Sequence, residues 1–243
     1  MRGLLRWIAL LLLATLALQL FFLMRIALMA HIDPQSTSFQ RSEAWRITTE
    51  QGRLRWRQQW VNYSDISDHL KRAVIAAEDG LFTNHEGVDW EALEKAWQRN
   101  AKADEQAARR VQPARPGMKA PKVVGGSTIT QQLAKNLLLS GERTLVRKGQ
   151  EIVLTYALER MLSKQRILEI YLNSVEWGEG VFGAEAAAQH YFRKPAARLN
   201  AYEAARLAVM LPRPKYFEKL PNSGYLASRA GAIAARMRDA ELP

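Results

Sequence analysis

The sequence predicts a mainly α domain of ordinary size, carried behind a single membrane-spanning helix. Three observations lead there. Residues 7–24 form an eighteen-residue run without a formal charge, close to the roughly 20 apolar residues a spanning helix needs. Downstream, apolar residues recur at three- and four-residue steps over 70–77, 145–162, 167–172 and 202–211, the pattern of amphipathic helices. The chain has 243 residues, 48% hydrophobic and 24% charged; with a spanning segment set aside, that leaves room for one domain with a real core and excludes both tandem domains and bulk disorder. Zero cysteines exclude disulfide frameworks, thiol nucleophiles and Cys-ligated zinc. The net charge of +11 points to an anionic partner without choosing among nucleic acid, acidic lipid and phosphate-bearing substrate.

In chain order, Arg2 and Arg6 precede the apolar run and Arg25 follows it. The positive-inside tendency puts residues 1–6 in the cytoplasm, a span at 7–30 and the rest outside, with Arg25 pulling the other way without reversing the bias. A cleaved signal peptide is the rival reading, but its apolar region is usually about 7 to 15 residues before an A-x-A-like site. Here Met29 stands where a small residue should. Residues 31–49, with Pro34 and several serines, read as a tether. The segments 46–49 and 54–56 flank Gln51-Gly52 as a small β-hairpin, and the domain is expected over 50–243. Residues 95–122 carry eight basic residues against Asp104 and Glu105, which suits a mobile basic loop or a solvated surface insertion.

Four blocks bear on chemistry. The first, EDGLFTNHEGVD at 78–89, follows Ala76 and Ala77. Glu78 is therefore expected at a helix end beside a hydrophobic wall, where desolvation raises a carboxyl pKa and suits a general base; on these residues alone an acidic surface loop is the commoner reading. His85-Glu86 does not begin a zinc motif, because H-E-x-x-H needs a second His where Asp89 stands. The second, GGSTITQQLAKN at 125–136, has the look of a helix start, with Thr128 and Gln131 as a capping box. It puts Thr128, Gln131, Gln132 and Lys135 on one polar face and Ile129, Leu133 and Leu137 on the other. The P-loop pattern is absent. The third sets Arg147 and Lys148 four and three residues before Glu151, within one helical turn, as an exposed ion pair would also do. The fourth, from Lys164 to Lys194, reads as a core helix, a glycine turn at Gly178, Gly180 and Gly183, and a second helix.

Together these blocks, in the order EDGLFTNHEGVD, GGSTITQQLAKN, RKGQE, ILEIYLN with GEGVFG, and LNAYEAARLAVMLPRP, resemble the peptidoglycan glycosyltransferases of glycosyltransferase family 51 over about residues 72–214. No Ser is followed by Lys three residues later and no K-T-G occurs, so the likeness is to the family's monofunctional, biosynthetic members rather than to those with a transpeptidase domain. The resemblance implies a lysozyme-like helical glycosyltransferase domain with a small membrane-proximal jaw. It implies polymerisation of lipid II into β-1,4 glycan by inverting transfer, with release of undecaprenyl pyrophosphate. By the same likeness Glu78 is the general base and Glu151 the second essential carboxylate. Lys135, Arg143 and Lys148 bind phosphate, and Asp79, Ser127 and Gln132 belong to the substrate site. The resemblance leaves room for a divalent cation (Mg or Mn) near Glu78 or Glu151 and implies no organic cofactor. Its partners would be lipid II, the growing glycan strand, the bacterial inner (plasma) membrane crossed once, and other cell-wall synthesis or division proteins. Export of the domain to the periplasmic side removes nucleic acid from the candidates. A lytic transglycosylase of the same fold class, or a noncatalytic membrane-tethered scaffold, are the readings to be separated from polymerisation.

Overall fold

The computed structural model describes residues 2–109, 126–139, 141–142 and 144–243. Helix α1 (Arg2–Leu28) is long and apolar enough to cross a membrane, with a window of mean hydropathy 2.4 that is almost entirely unburied. Its last turns are different. Phe22, Ile26 and Met29 are buried in the main core, and Gln19 exchanges two side-chain hydrogen bonds of 2.9 Å with Gln150.

The tether and the hairpin expected next are both corrected. Residues 38–51 form α2 (Ser38–Gln51), opened by a full capping box between Thr37 and Gln40 and closed by Gly52 in the left-handed conformation. A Thr-x-x-Gln pair satisfies two orphan N–H groups at once, and Ile47 and Gln40 are buried, so this segment belongs to the folded body. Gln51-Gly52 ends a helix rather than turning a hairpin. The strand that follows, β1 (Arg57–Gln58), finds a distant partner instead of a local one.

Helix α3 (Asp68–Glu78) is capped by Ser67, and α4 (Trp90–Arg109) starts where the Asp89 side chain accepts the Ala92 N–H. The part of the expected basic loop at 95–109 is thus helical, and its remainder at 110–122 lies outside the described residues. Then come α5 (Ile129–Leu138), α6 (Leu145–Met161) and α7 (Lys164–Ser174). The glycine turn joins β2 (Glu176–Gly178) to β3 (Val181–Phe182) and leads into α8 (Ala184–Phe192). The chain closes with α9 (Ala201–Met210), α10 (Pro214–Glu218) and α11 (Gly224–Arg236).

The sheet runs β1-β3-β2, with β1 parallel and β2 antiparallel to β3. Gly180 makes that pairing possible. Its φ is +70°, and a Cβ there would lie 2.1 Å from the Arg55 carbonyl oxygen, a clash with backbone that no rotamer relieves. Around the sheet, α3 packs on α9 and α9 on α11, while α5 lies against α2, α6 and α7. Trp177, Tyr171, Phe82 and Leu133 are fully buried, at about 1.5–3 kcal/mol for each large side chain taken out of water.

Candidate active site

Glu78 is the last residue of α3, as the apolar run before it predicts. It lines a cleft of about 340 Å³ together with Ser127, Thr128, Lys95 and Arg99. Surface area makes the residue half-buried, yet burial of the carboxyl is the largest influence on it and raises its pKa above the ordinary value. The Asp79 charge pushes the same way; a hydrogen bond from Gln132 and the charge of Lys135 pull back. The result is a carboxylate tuned toward proton acceptance.

The Gln132 contact is itself held in place. Gln132 Nε2 donates to Glu78 Oε2 at 2.9 Å, and the Tyr171 hydroxyl donates to Gln132 Oε1 at 3.1 Å. Tyr171 is buried and its pKa lies well above 10, chiefly through desolvation, so it remains a donor. A Tyr donor fixes which end of the amide faces Glu78. Sequence reasoning places Tyr171 in a structural helix and misses this role; nothing in its apolar neighbours signals it.

Asp79 is buried and both its oxygens are engaged within the protein. Oδ2 accepts the Ile129 N–H at 3.0 Å, at the start of α5, and Oδ1 accepts His85 Nε2 at 2.8 Å. His85 Nδ1 accepts the Gly87 N–H, which assigns the imidazole proton to Nε2. An acid at a helix N-terminus is favoured by the dipole, so the geometry makes Asp79 a clamp that joins the ends of α3 and α5. The Thr128–Gln131 capping box forms as expected. It draws Gln131 inside, leaving Gln132 and Lys135, three residues apart, on the face toward Glu78. The Thr128 hydroxyl also donates 2.5 Å to the Gly87 carbonyl. Gly87 has φ +89° and no room for a Cβ against Thr155.

Glu151 is on α6, which packs on α5. It is buried, and it accepts Arg147 Nη1 at 3.0 Å and Lys148 Nζ at 2.5 Å. The i+3 and i+4 spacing read from the sequence is therefore realised, as a mostly sequestered cluster. Neither Glu151 nor Lys148 lines the Glu78 cleft. Arg143 lies outside the described residues. Lys95 and Arg99 do reach the cleft, from α4; the sequence predicts a basic loop here, because the charge density of 95–122 dominates its pattern, and so gives no sign of either. Among the described residues no three His, Cys, Asp or Glu side chains converge to hold a metal, and both Glu151 oxygens are already taken. Among the described residues, the side chains around Glu78 and Glu151 do not assemble a protein-built divalent site.

A mainly α enzyme domain centred on a desolvated carboxylate, continuous with an apolar helix, is the class these features define. Within it the chain belongs to the transglycosylase family, whose description, Transglycosylase, matches residues 46–238. It is 52% identical to the biosynthetic peptidoglycan transglycosylase of Burkholderia thailandensis over 246 aligned residues, covering 100% of this chain and 90% of that protein. It is 49% identical to the proteins of the same name from Herminiimonas arsenicoxydans, covering 100% and 99% of the two chains, and from Paraburkholderia phytofirmans, covering 99% and 95%.

Proposed function

We propose that the protein polymerises lipid II into β-1,4 glycan on the outer face of the inner membrane, with α1 as a single-pass anchor whose N-terminus is cytoplasmic. The observation that carries this reading is the desolvated Glu78 carboxylate, bonded to an orientation-locked Gln132 and within the field of Lys135. The 4-hydroxyl of the incoming sugar attacks the anomeric carbon of the lipid-linked strand from the face opposite the pyrophosphate. Glu78 takes the hydroxyl proton as the new C–O bond forms. The anomeric C–O bond to the pyrophosphate breaks with inversion, and undecaprenyl pyrophosphate leaves with the electron pair.

Charge grows on the leaving group, so preorganised cations are the main electrostatic aid. Lys95 and Arg99 supply them in the cleft, Lys135 acts from beside Glu78, Ser127 adds a polar contact, and the family resemblance adds Arg143 and Lys148, the latter from outside the cleft lining. Glu151 holds Arg147 and Lys148 in position, and Asp79 holds Glu78 against α5.

The test is incubation of the purified full-length protein with labelled lipid II in detergent. Polymer and released undecaprenyl pyrophosphate are expected. Shortening of preformed glycan with no polymer made would identify a lytic enzyme, and neither reaction would leave a scaffold.

A further inference from the structure

A second cavity, of about 800 Å³, opens between the end of α2, β1, the β2–β3 turn and α10, and shares no lining residue with the Glu78 cleft. Its carboxylates are already committed. Glu218 accepts the Glu179 N–H at 2.8 Å and His190 Nε2 at 3.1 Å, and Glu179 pairs with Arg46. Lys215 is tied to Glu43 and lies 3.4 Å from Glu176. The cations at the rim are in a different state. The side chains of Arg55 and Lys219 are exposed and form no hydrogen bond or ion pair among the described residues. Among the described residues the Arg57 guanidinium meets only the His190 ring, 3.0 Å from Nδ1. Beside them Trp56 is half-buried and braced on Phe182, with ring centroids 4.6 Å apart.

Three cations without carboxylate partners among the described residues, set around a recessed hollow with one fixed aromatic wall, match an acidic ligand that also carries an amphipathic body. Guanidinium forks favour carboxylates, an indole face suits a sugar ring or peptide, and the volume lies in the range of small-ligand sites. A flat lipid surface would not fill a hollow of this kind. We propose that this cavity binds the carboxylate-bearing disaccharide-pentapeptide units of the glycan strand, as a second site beyond the catalytic cleft. The choice of ligand rests on the polymerase reading above.

The test uses the full-length protein in detergent with a photoreactive disaccharide-pentapeptide. Crosslinks are expected in segments 55–57 and 215–219. They should fall at least tenfold in the double variant R55E/K219E, and equally with a carboxyl-amidated probe. If circular dichroism shows that the charge reversal does not fold, R55A/K219A replaces it with the same expectation. Crosslinks confined to residues around Glu78, or unchanged in the variant, would overturn the site. So would a variant that loses only adhesion to phosphatidylglycerol vesicles, since that result would assign the cations to lipid. Lipid II polymerisation by the same preparation separates the two readings. Polymer without crosslinks at this cavity sinks the second site alone, and no polymer from the wild type sinks the reading beneath it.

Discussion

Glu78 and Glu151 are both withdrawn from water, and the protein treats them in opposite ways. Glu78 has one neutral hydrogen-bond donor, Gln132, and its pKa is raised by burial. Glu151 has two cations within 3.0 Å. Burial alone therefore does not decide a carboxylate's role; the charge of its neighbours does. The first arrangement is the one that the proposed base requires, at some cost in stability. The second makes a clamp that holds cations for use elsewhere.

The largest effect that separates them is on turnover. Glu78→Gln keeps the shape but cannot accept a proton, and polymerisation should fall about 10² to 10⁴-fold with the melting curve intact; a folded variant that turns over like wild type would remove Glu78 from the chemistry. Glu151→Ala should act on stability instead, by roughly 2 kcal/mol, since it strands two partly buried cations. Denaturant midpoints read this, and an unchanged midpoint would show that the clamp holds nothing.

Glu176 sharpens the contrast as a third case. It is buried and its pKa is pushed up to about 7, mainly by desolvation, with Lys215 only partly offsetting it. A raised pKa means that its contribution to stability is fully present below the unfolded value near 4.5 and is lost as pH rises through about 7. Glu176→Gln should therefore match wild type near pH 4 to 5 and exceed it by roughly 1 to 3 kcal/mol at pH 8, as thermal melts at the two pH values would show. An equal gain at both would point to packing. The smallest effect belongs to Tyr171→Phe, which frees the Gln132 amide to turn. One neutral hydrogen bond is worth about 0.5–1.5 kcal/mol, so a rate loss of roughly 2- to 10-fold is expected, and none at all would mean that Gln132 needs no lock.

Much of this contrast was legible in the sequence, because local rules govern it. The helix end at Glu78, the capping box at Thr128 and Gln131, and the Arg147–Lys148–Glu151 spacing all depend on residues within four positions of one another. The Thr37–Gln40 box is equally local, yet Pro34 and the serines around it give 31–49 the composition of a tether and hide α2. The Tyr171–Gln132–Glu78 chain could not be read at all, because it joins three helices far apart in sequence. The same holds for β1, whose partner Val181-Phe182 lies far along the chain, and for Asp79, whose place at the start of α5 appears only once α3 and α5 meet.

The central claim is that the protonation of Glu78 governs turnover, and the acid limb of the pH dependence of kcat/KM tests it most directly. Gln132 donates to the charged form of Glu78 and so lowers its pKa; removing that donor must raise it. The limb for wild type should lie above the ordinary carboxylate value of 4.5, and in Gln132→Leu it should move to still higher pH. A limb that stays where it is in Gln132→Leu, or moves down, would contradict the assignment of Glu78 as the base.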